Sequence, residues 1–341
     1  MAQIPFFKPA LFRKDMDAVL QTMVDEKIGP GEKKRAFVKA FCTYTSRKDG
    51  VALRSYIDAI AVAFHSMGLV EGDSVCMSVF TPLVYLEAMK RLGLKSILTD
   101  VDDEMMPDGE GIRKALEEGA KALVLFLPLG NIPSEGEKFR EYGLPVLEDI
   151  TQSVGSKLNS MGPGRIGNIV IAATEEDSIV STAGGAVLLS DNDETLDLMK
   201  KEVNSFVEMP DLNASLGVVQ LMKLESIVLR RANIYKIYAD EARRKGKVKI
   251  FGMGDVEFSS NGYGFSCITQ DRPDDVTEMA KKYSVTVRKT FSKAVGSRYQ
   301  DRFDRFPKAF PYLSRAVSFP LYPFLSNAEI QTVQRVIGMM R

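Results

Sequence analysis

Short, almost wholly apolar runs alternate with stretches whose apolar residues recur every three or four positions, and this pattern fills the chain from Gly50 to Asp191. The runs GVALRS, GDSVCMSVF, KSILTDVD, KALVLFLP, LPVLEDI, IGNIVIAAT and GGAVLLSD read as strands. YIDAIAVAFHSMGL, PLVYLEAMKRLGL, GEGIRKALEEG and SEGEKFREYG read as the helices between them, with Pro82 suited to a first helical turn. Strands apolar on both faces, interleaved with helices, predict an α/β fold with a mostly parallel central sheet covered on both sides.

Ahead of this region, the two prolines of IPFFKPAL favour an extended arm. A helix is expected from Asp15 to Glu26, with Asp15 as N-cap and Met16, Val19, Leu20 and Met23 on its apolar face. RAFVKAFCTYT continues as a helix with Phe37 and Phe41 four apart. Beyond about residue 193 long helical stretches take over, DETLDLMKKEVNSF and then one from Leu212 to Gly246 carrying Leu216, Val219, Leu221, Leu224 and Ile227 near helical spacing. The strands VEFSS, YGFSCIT and VTVRKTF follow, with a helix from Pro273 to Tyr283 and a last helix NAEIQTVQRVIGMM. The organisation expected is an arm (1–29), a large α/β domain (30–225) and a smaller C-terminal α+β domain (226–341).

Composition narrows the functions. The 341 residues hold 45 Lys+Arg and 45 Asp+Glu, which gives no electrostatic case for nucleic acid or an acidic membrane. No run approaches the roughly 18 apolar residues of a membrane span, and the N-terminus lacks a signal-peptide core. Cys42, Cys76 and Cys267 are too few and too scattered for a disulfide framework or a metal motif, and read as reduced small hydrophobes of a cytoplasmic protein. With one histidine, His65 in an amphipathic helix, no metal site and no mechanism using two imidazoles is expected.

There is no GxGxxG after the first strand, no phosphate-binding Walker loop and no nucleophile elbow. Glu148 and Asp149 end a strand, where an α/β sheet places its ligand crevice. Gly184–Gly185 mark a tight turn between apolar segments, and Glu175, Glu176 and Asp177 form an acidic loop.

Taken in order, these pieces resemble the DegT/DnrJ/StrS sugar aminotransferases, fold type I enzymes that use pyridoxal phosphate (PLP). The resemblance is carried by IPFFKPAL, GPGEKKRAFVKAF, the stretch from Val51 to Asp102 with GDSV, SVFT and LTDVD, LPVLEDITQSVGSK, STAGGAVLLSDNDE, LNASLGVVQLMKLESIVLRR and VSFPLYPFLSNAEIQTVQRVI. It implies a large domain with a mostly parallel sheet, a smaller C-terminal domain, a homodimer with shared sites, and sugar-nucleotide chemistry in polysaccharide biosynthesis.

The resemblance also locates departures. The family's Schiff-base lysine, seven residues before the double glycine, falls on Asp177, and no lysine occurs between Lys157 and Lys200. A carboxylate cannot condense with an aldehyde. The family's phosphate turn falls on Ser55, Tyr56 and Ile57, followed by Asp58; its second hydroxyl falls on Ala172, and the aromatic residue covering the ring is Pro82. Asp149, the partner of the pyridinium nitrogen, and Gln152 remain.

These departures lead to the expectation of a protein that binds no PLP: a pseudoenzyme repurposed for a small molecule or a partner. It would be a homodimer, or a heteromer with an active paralogue, with the crevice at Asp149, Gln152, Tyr56, Pro82 and Asp177 partly filled by Tyr56. An alternative is an enzyme that holds PLP or pyridoxamine phosphate without that lysine, acting on a keto-sugar nucleotide with Asp177 or Glu176 as proton shuttle. A third possibility is a cation or amine site formed by Glu175, Glu176, Asp177 and Asp58. The arm residues Ile4, Phe6, Phe7 and Leu11 are the expected partner contact.

Overall fold

The computed structural model describes residues 3–203, 207–246, 248–251, 258–299 and 303–340. Its main sheet is built from β1 (Asp49–Leu53), β2 (Ser74–Ser78), β3 (Lys95–Thr99), β4 (Ala120–Phe126) and β5 (Val146–Asp149). After a short β6 (Lys157–Leu158), β7 (Ile169–Ala173) and β8 (Ala186–Ser190) complete it. The order is β1-β8-β7-β5-β4-β2-β3, with β7, β5, β4, β2 and β3 mutually parallel and β8 antiparallel to both neighbours. The mostly parallel sheet foreseen from the apolar runs is therefore present.

Helices α1 (Arg13–Val24), α2 (Glu32–Thr45), α3 (Tyr56–Ser66), α4 (Val84–Leu92), α5 (Gly109–Glu117), α6 (Asp193–Glu202) and α7 (Asp211–Met222) surround this sheet. Apolar side chains on its two faces form two separate clusters, one holding Phe37, Phe41 and Ala172 and the other Ile60, Phe64 and Ala173. Burial on both sides explains why β7 and β8 read as unbroken apolar runs. SEGEKFREYG supplies only a 3₁₀ turn, Gly136–Phe139, where a full helix was expected.

Helix α8 (Leu224–Lys245) leads to a second sheet. Around it lie β9 (Lys249–Ile250), β10 (Phe258–Ser259), β11 (Phe265–Ile268), α9 (Pro273–Lys282), β12 (Arg288–Lys289), α10 (Phe310–Arg315), β13 (Ala316–Phe319) and α11 (Asn327–Met339). The antiparallel order is β12-β13-β11-β9, and β10 pairs instead with β6. Of the expected strand VEFSS, Val256 and Glu257 lie outside the described residues. Only Arg288 and Lys289 of VTVRKTF pair as a strand. Among the described residues no single helix is long and apolar enough to cross a membrane.

Four local expectations are corrected. Asp15 sits in the third position of α1, not at its cap, and its carboxylate accepts the Phe12 N–H at 2.6 Å. The helix also faces the other way: Asp15 and Thr22 are buried, with Asp15 paired to Lys223 at 3.3 Å, whereas Met16, Leu20 and Met23 are exposed. The single long helix is two, bent by 64° at Lys223, the residue that makes this ion pair and also lies over the Phe12 ring. In the arm, Ile4 is not free for a partner. It is buried, donates to the Ser284 carbonyl at 2.7 Å and accepts from Thr286 at 3.0 Å.

The close approach of α2 and α7 depends on Gly217. A Cβ there would stand 2.3 Å from the Phe37 ring and 2.7 Å from Thr182 Cγ2. Gly217→Ala is expected to lower stability by about 1–3 kcal/mol through overpacking, read as a lower urea midpoint with an unchanged slope. An unchanged midpoint would show that the two helices have room to part.

Candidate active site

Strand order reverses between β2 and β4: β3 lies outside β2, and the following strands run outward on the other side. In open α/β sheets such a reversal leaves a crevice beyond the carboxyl ends of the strands. A cavity of about 520 Å³ occupies this place, within the range of small-molecule sites. Its walls come from the ends of the strands: Ser55 after β1, Phe80 and Pro82 after β2, Phe126 on β4, Thr151 and Gln152 after β5, and Ala173 and Glu175 at β7.

The floor is a buried hydrogen-bonded cluster. Asp149 is fully buried at the end of β5. Its Oδ1 accepts the Thr151 N–H at 2.9 Å, and its Oδ2 accepts the Tyr85 hydroxyl at 2.8 Å and the Tyr56 hydroxyl. The two tyrosine rings meet edge to face with centroids 5.9 Å apart. Burial raises the Asp149 pKa, and the Thr151 and phenol donors oppose the rise. Burial and then the Asp149 charge push Tyr56 and Tyr85 well above the ordinary phenol value, so both stay protonated donors.

Thr151 and Gln152 are fixed by the backbone around them. Thr151 Oγ1 accepts from Ala173 N at 2.9 Å, and Gln152 Oε1 accepts from Leu129 N at 2.8 Å. Buried Arg231 holds the Gly262 and Tyr263 carbonyls at 2.9 and 2.7 Å, which sets the Tyr263 ring in the wall.

The opposite wall is residues 290–294. Leu83 N donates to the Lys293 carbonyl at 2.8 Å, Val295 N to Thr81 at 2.8 Å and Gly296 N to Val79 at 2.7 Å. Phe291 stacks on Phe80 with centroids 4.1 Å apart and planes 13° from parallel. The Lys293 ammonium lies 3.5 Å from Asp177 Oδ2, with the lysine side chain 81% and the aspartate 46% exposed.

The structure thus brings Ser55, Tyr56, Ile57, Pro82, Gln152 and Asp177 to one cavity. Two expected members are elsewhere. Ala172 is fully buried on the face of β7 opposite Ala173, the residue that reaches the cavity, because successive side chains of a strand point to opposite faces. Asp149 does not line the space, since Tyr56 covers it. Glu148 also leaves the site: its carboxylate accepts the N–H groups of Gly164, Ile166 and Gly167, a structural task. Of the acidic set, Glu175 and Asp177 line the cavity. Glu176 does not, and Asp58 pairs with Ser55 at 2.6 Å and Arg91 at 3.7 Å. Among the described residues no group of three or more His, Cys, Asp or Glu is placed to hold a metal ion.

Sequence reading missed Phe291, Tyr263 and Lys293. No local spacing pointed to them, since Lys293 reaches Asp177 across 116 residues of chain.

The profile of the DegT/DnrJ/EryC1/StrS aminotransferase family matches residues 10–338. Among solved structures, the chain is similar to the putative sugar aminotransferase Spr1654 from Streptococcus pneumoniae in its PLP-form, at 18% identity, TM-score 0.88 and 98% coverage of both chains. It is similar to DesV of S. venezuelae in complex with a ketimine intermediate (16% identity, TM-score 0.88, 99% of this chain and 98% of that one). It is also similar to Helicobacter pylori PseC, an aminotransferase involved in the biosynthesis of pseudoaminic acid (15% identity, TM-score 0.87, 98% of both).

These findings overturn the expectation that no cofactor is used: the family, and the PLP- and pyridoxamine-phosphate (PMP) forms of Spr1654, point to PLP. The residues present fit such a group, though by other partners than the family's. Space is sufficient, and the first turn of α3 opens on the cavity through Ser55, Tyr56 and Ile57 with N–H groups free of intrahelical acceptors. Lys293 adds a positive charge opposite. Tyr56, with Asp149 beneath it, would form the floor under a bound ring.

Proposed function

The chain belongs to the DegT/DnrJ/EryC1/StrS aminotransferase family, and from that premise we propose that it binds PLP or its amine form in the cavity and acts on a keto- or amino-sugar without an amine at position 177. The observation that carries this reading is Asp177 itself. It stands in the wall of a cofactor-sized cavity at the strand ends, with the Lys293 ammonium 3.5 Å away. When bound, the cofactor supplies an electron sink.

The remaining work falls to the chain. The free N–H groups of the first turn of α3 hold the phosphate, while the Ser55 hydroxyl stays on Asp58. Thr151, Gln152 and Tyr263 orient the polar edge of the ligand, while stacked Phe80 and Phe291 exclude water from one side. Asp177 Oδ2 accepts a proton and returns it, with the Lys293 ammonium 3.5 Å away. Of the two acids considered for this shuttle, Glu176 does not line the cavity.

Equilibrium dialysis against PMP tests this reading. One saturable site per chain is expected, with Asp177→Asn keeping the site and losing at least 10²-fold in amino transfer to keto-sugar nucleotides, the usual scale of a lost acid–base group. Absence of any saturable site would refute it.

A second reading keeps the fold as a ligand- or partner-binding scaffold without turnover, and the cover that Tyr56 places over Asp149 favours it. Saturable cofactor binding with no turnover of any keto-sugar nucleotide would select this second reading. The homodimer belongs with either one as a proposal.

A further inference from the structure

We infer that Lys293 is the carbonyl-reactive amine of this cavity: its Nζ condenses with an aldehyde-bearing ligand such as PLP, Asp177 carrying the proton. This deepens the reading above and rests on it. Four observations converge on Lys293. It is the one amine or guanidinium side chain among the described residues lining the cavity. Its backbone is pinned, since the Lys293 carbonyl accepts from Leu83 N at 2.8 Å and Val295 and Gly296 are tied to Thr81 and Val79 at 2.8 and 2.7 Å. Its side chain is largely free, 81% exposed, so Nζ can swing into the cavity from a fixed root. A proton acceptor waits at 3.5 Å in Asp177 Oδ2.

The neighbouring bases lack this combination. Lys289 is engaged by Asp274 at 3.0 Å, and the guanidinium of Arg288 lies over the Phe6 ring, 4.6 Å from its centroid. Lys293 also enters from the segment after β12, not from the loop after β7. The amine is therefore supplied by a part of the chain far from position 177.

The step balances. The ammonium gives one proton to Asp177, and the freed nitrogen lone pair adds to the carbonyl carbon. Asp177 returns that proton to the carbonyl oxygen, which leaves as water with the second hydrogen of the nitrogen. The product is a protonated C=N bond and one water; nothing is oxidised or reduced and no proton is left over. The ion pair thus has a purpose in both directions, holding the amine in place before reaction and catalysing its release afterwards.

The test uses the full chain, PLP as probe, and borohydride to convert any C=N bond into a stable amine. Peptide mapping is expected to find one adduct per chain, on the peptide bearing Lys293. Lys293→Arg keeps the positive charge but cannot form the bond, so it should lose the adduct and still retain PLP in equilibrium dialysis. Lys289→Ala should leave the adduct in place. An adduct that survives in Lys293→Arg, or one spread over surface lysines, overturns the assignment. Saturable PLP binding with no adduct overturns it too and leaves the proposed function standing; no binding by the wild-type chain overturns both.

Discussion

Replacing Glu148 by leucine is expected to lower stability by about 3–5 kcal/mol, the range for breaking a buried charged hydrogen-bond cluster. Glu148 is fully buried at the end of β5. Its Oε1 accepts the Gly164 N–H at 2.8 Å, and its Oε2 accepts those of Ile166 and Gly167 at 2.7 and 2.8 Å. Leucine fills much of the same volume but leaves three backbone donors without an acceptor, in a turn too tight to re-form around it. A Cβ on Gly167 would stand 2.5 Å from the Ile169 carbonyl oxygen and 2.6 Å from Glu148 Cβ. Urea unfolding measures the loss, and hydrogen exchange at Gly164, Ile166 and Gly167 localises it. Glu148→Gln, which retains one carbonyl acceptor, should lose less. A loss below about 1 kcal/mol in Glu148→Leu would mean that the three N–H groups find other acceptors.

The two acids of LPVLEDI show what sequence can and cannot resolve. Hydrophobic periodicity located the strand and its end, and strand ends are where an α/β sheet binds ligands. Which acid faces which way depends on register against β4 and β7, and a change of one residue exchanges the two faces. Glu148 went to a loop and Asp149 to the floor of the cavity. The same alternation sent Ala173, and not Ala172, to the wall.

Counting back from Gly184–Gly185 placed Asp177 in the cavity wall, because the turn through Thr182 fixes the loop onto Thr174 at 2.9 Å. Lys293 was illegible for the opposite reason. Its proximity to Asp177 exists only because residues 293–296 are stitched to the end of β2, a tertiary pairing with no local signature. Helix α1 was misread in its facing: apolar spacing put Met16, Leu20 and Met23 on the buried side, yet Asp15, paired with Lys223, and Thr22 are the buried residues.

Tyr56→Ala is expected to cost about 3–5 kcal/mol, the range for truncating a buried aromatic ring. Tyr56→Phe, which removes only the hydroxyl, is expected to cost about 1.5–3 kcal/mol where Asp149 is ionised, as a lost hydrogen bond to a charged group. The smaller change has a sign in pH. Burial raises the Asp149 pKa above its unfolded value, so its contribution to stability is complete below the unfolded value and is lost as pH rises through the folded one. Removing the Tyr56 donor withdraws support from the ionised form and raises that folded pKa further. The gap between wild type and Tyr56→Phe should therefore be widest above the folded Asp149 pKa and narrow as pH falls through it towards the unfolded value of about 4. Urea titrations at several pH values measure it; a gap that widens on acidification would place the ionised form of Asp149 elsewhere. The alanine variant does something the phenylalanine variant cannot: it uncovers Asp149 to the cavity. A pyridine ring nitrogen can then meet the carboxylate directly. PLP affinity should accordingly rise by roughly tenfold or more, as expected for one charge-assisted hydrogen bond. Dialysis at a temperature where the variant is folded gives that ratio, and an unchanged or weaker affinity would show that Tyr56 is a ligand-binding wall of the cavity and not a cover over its acid.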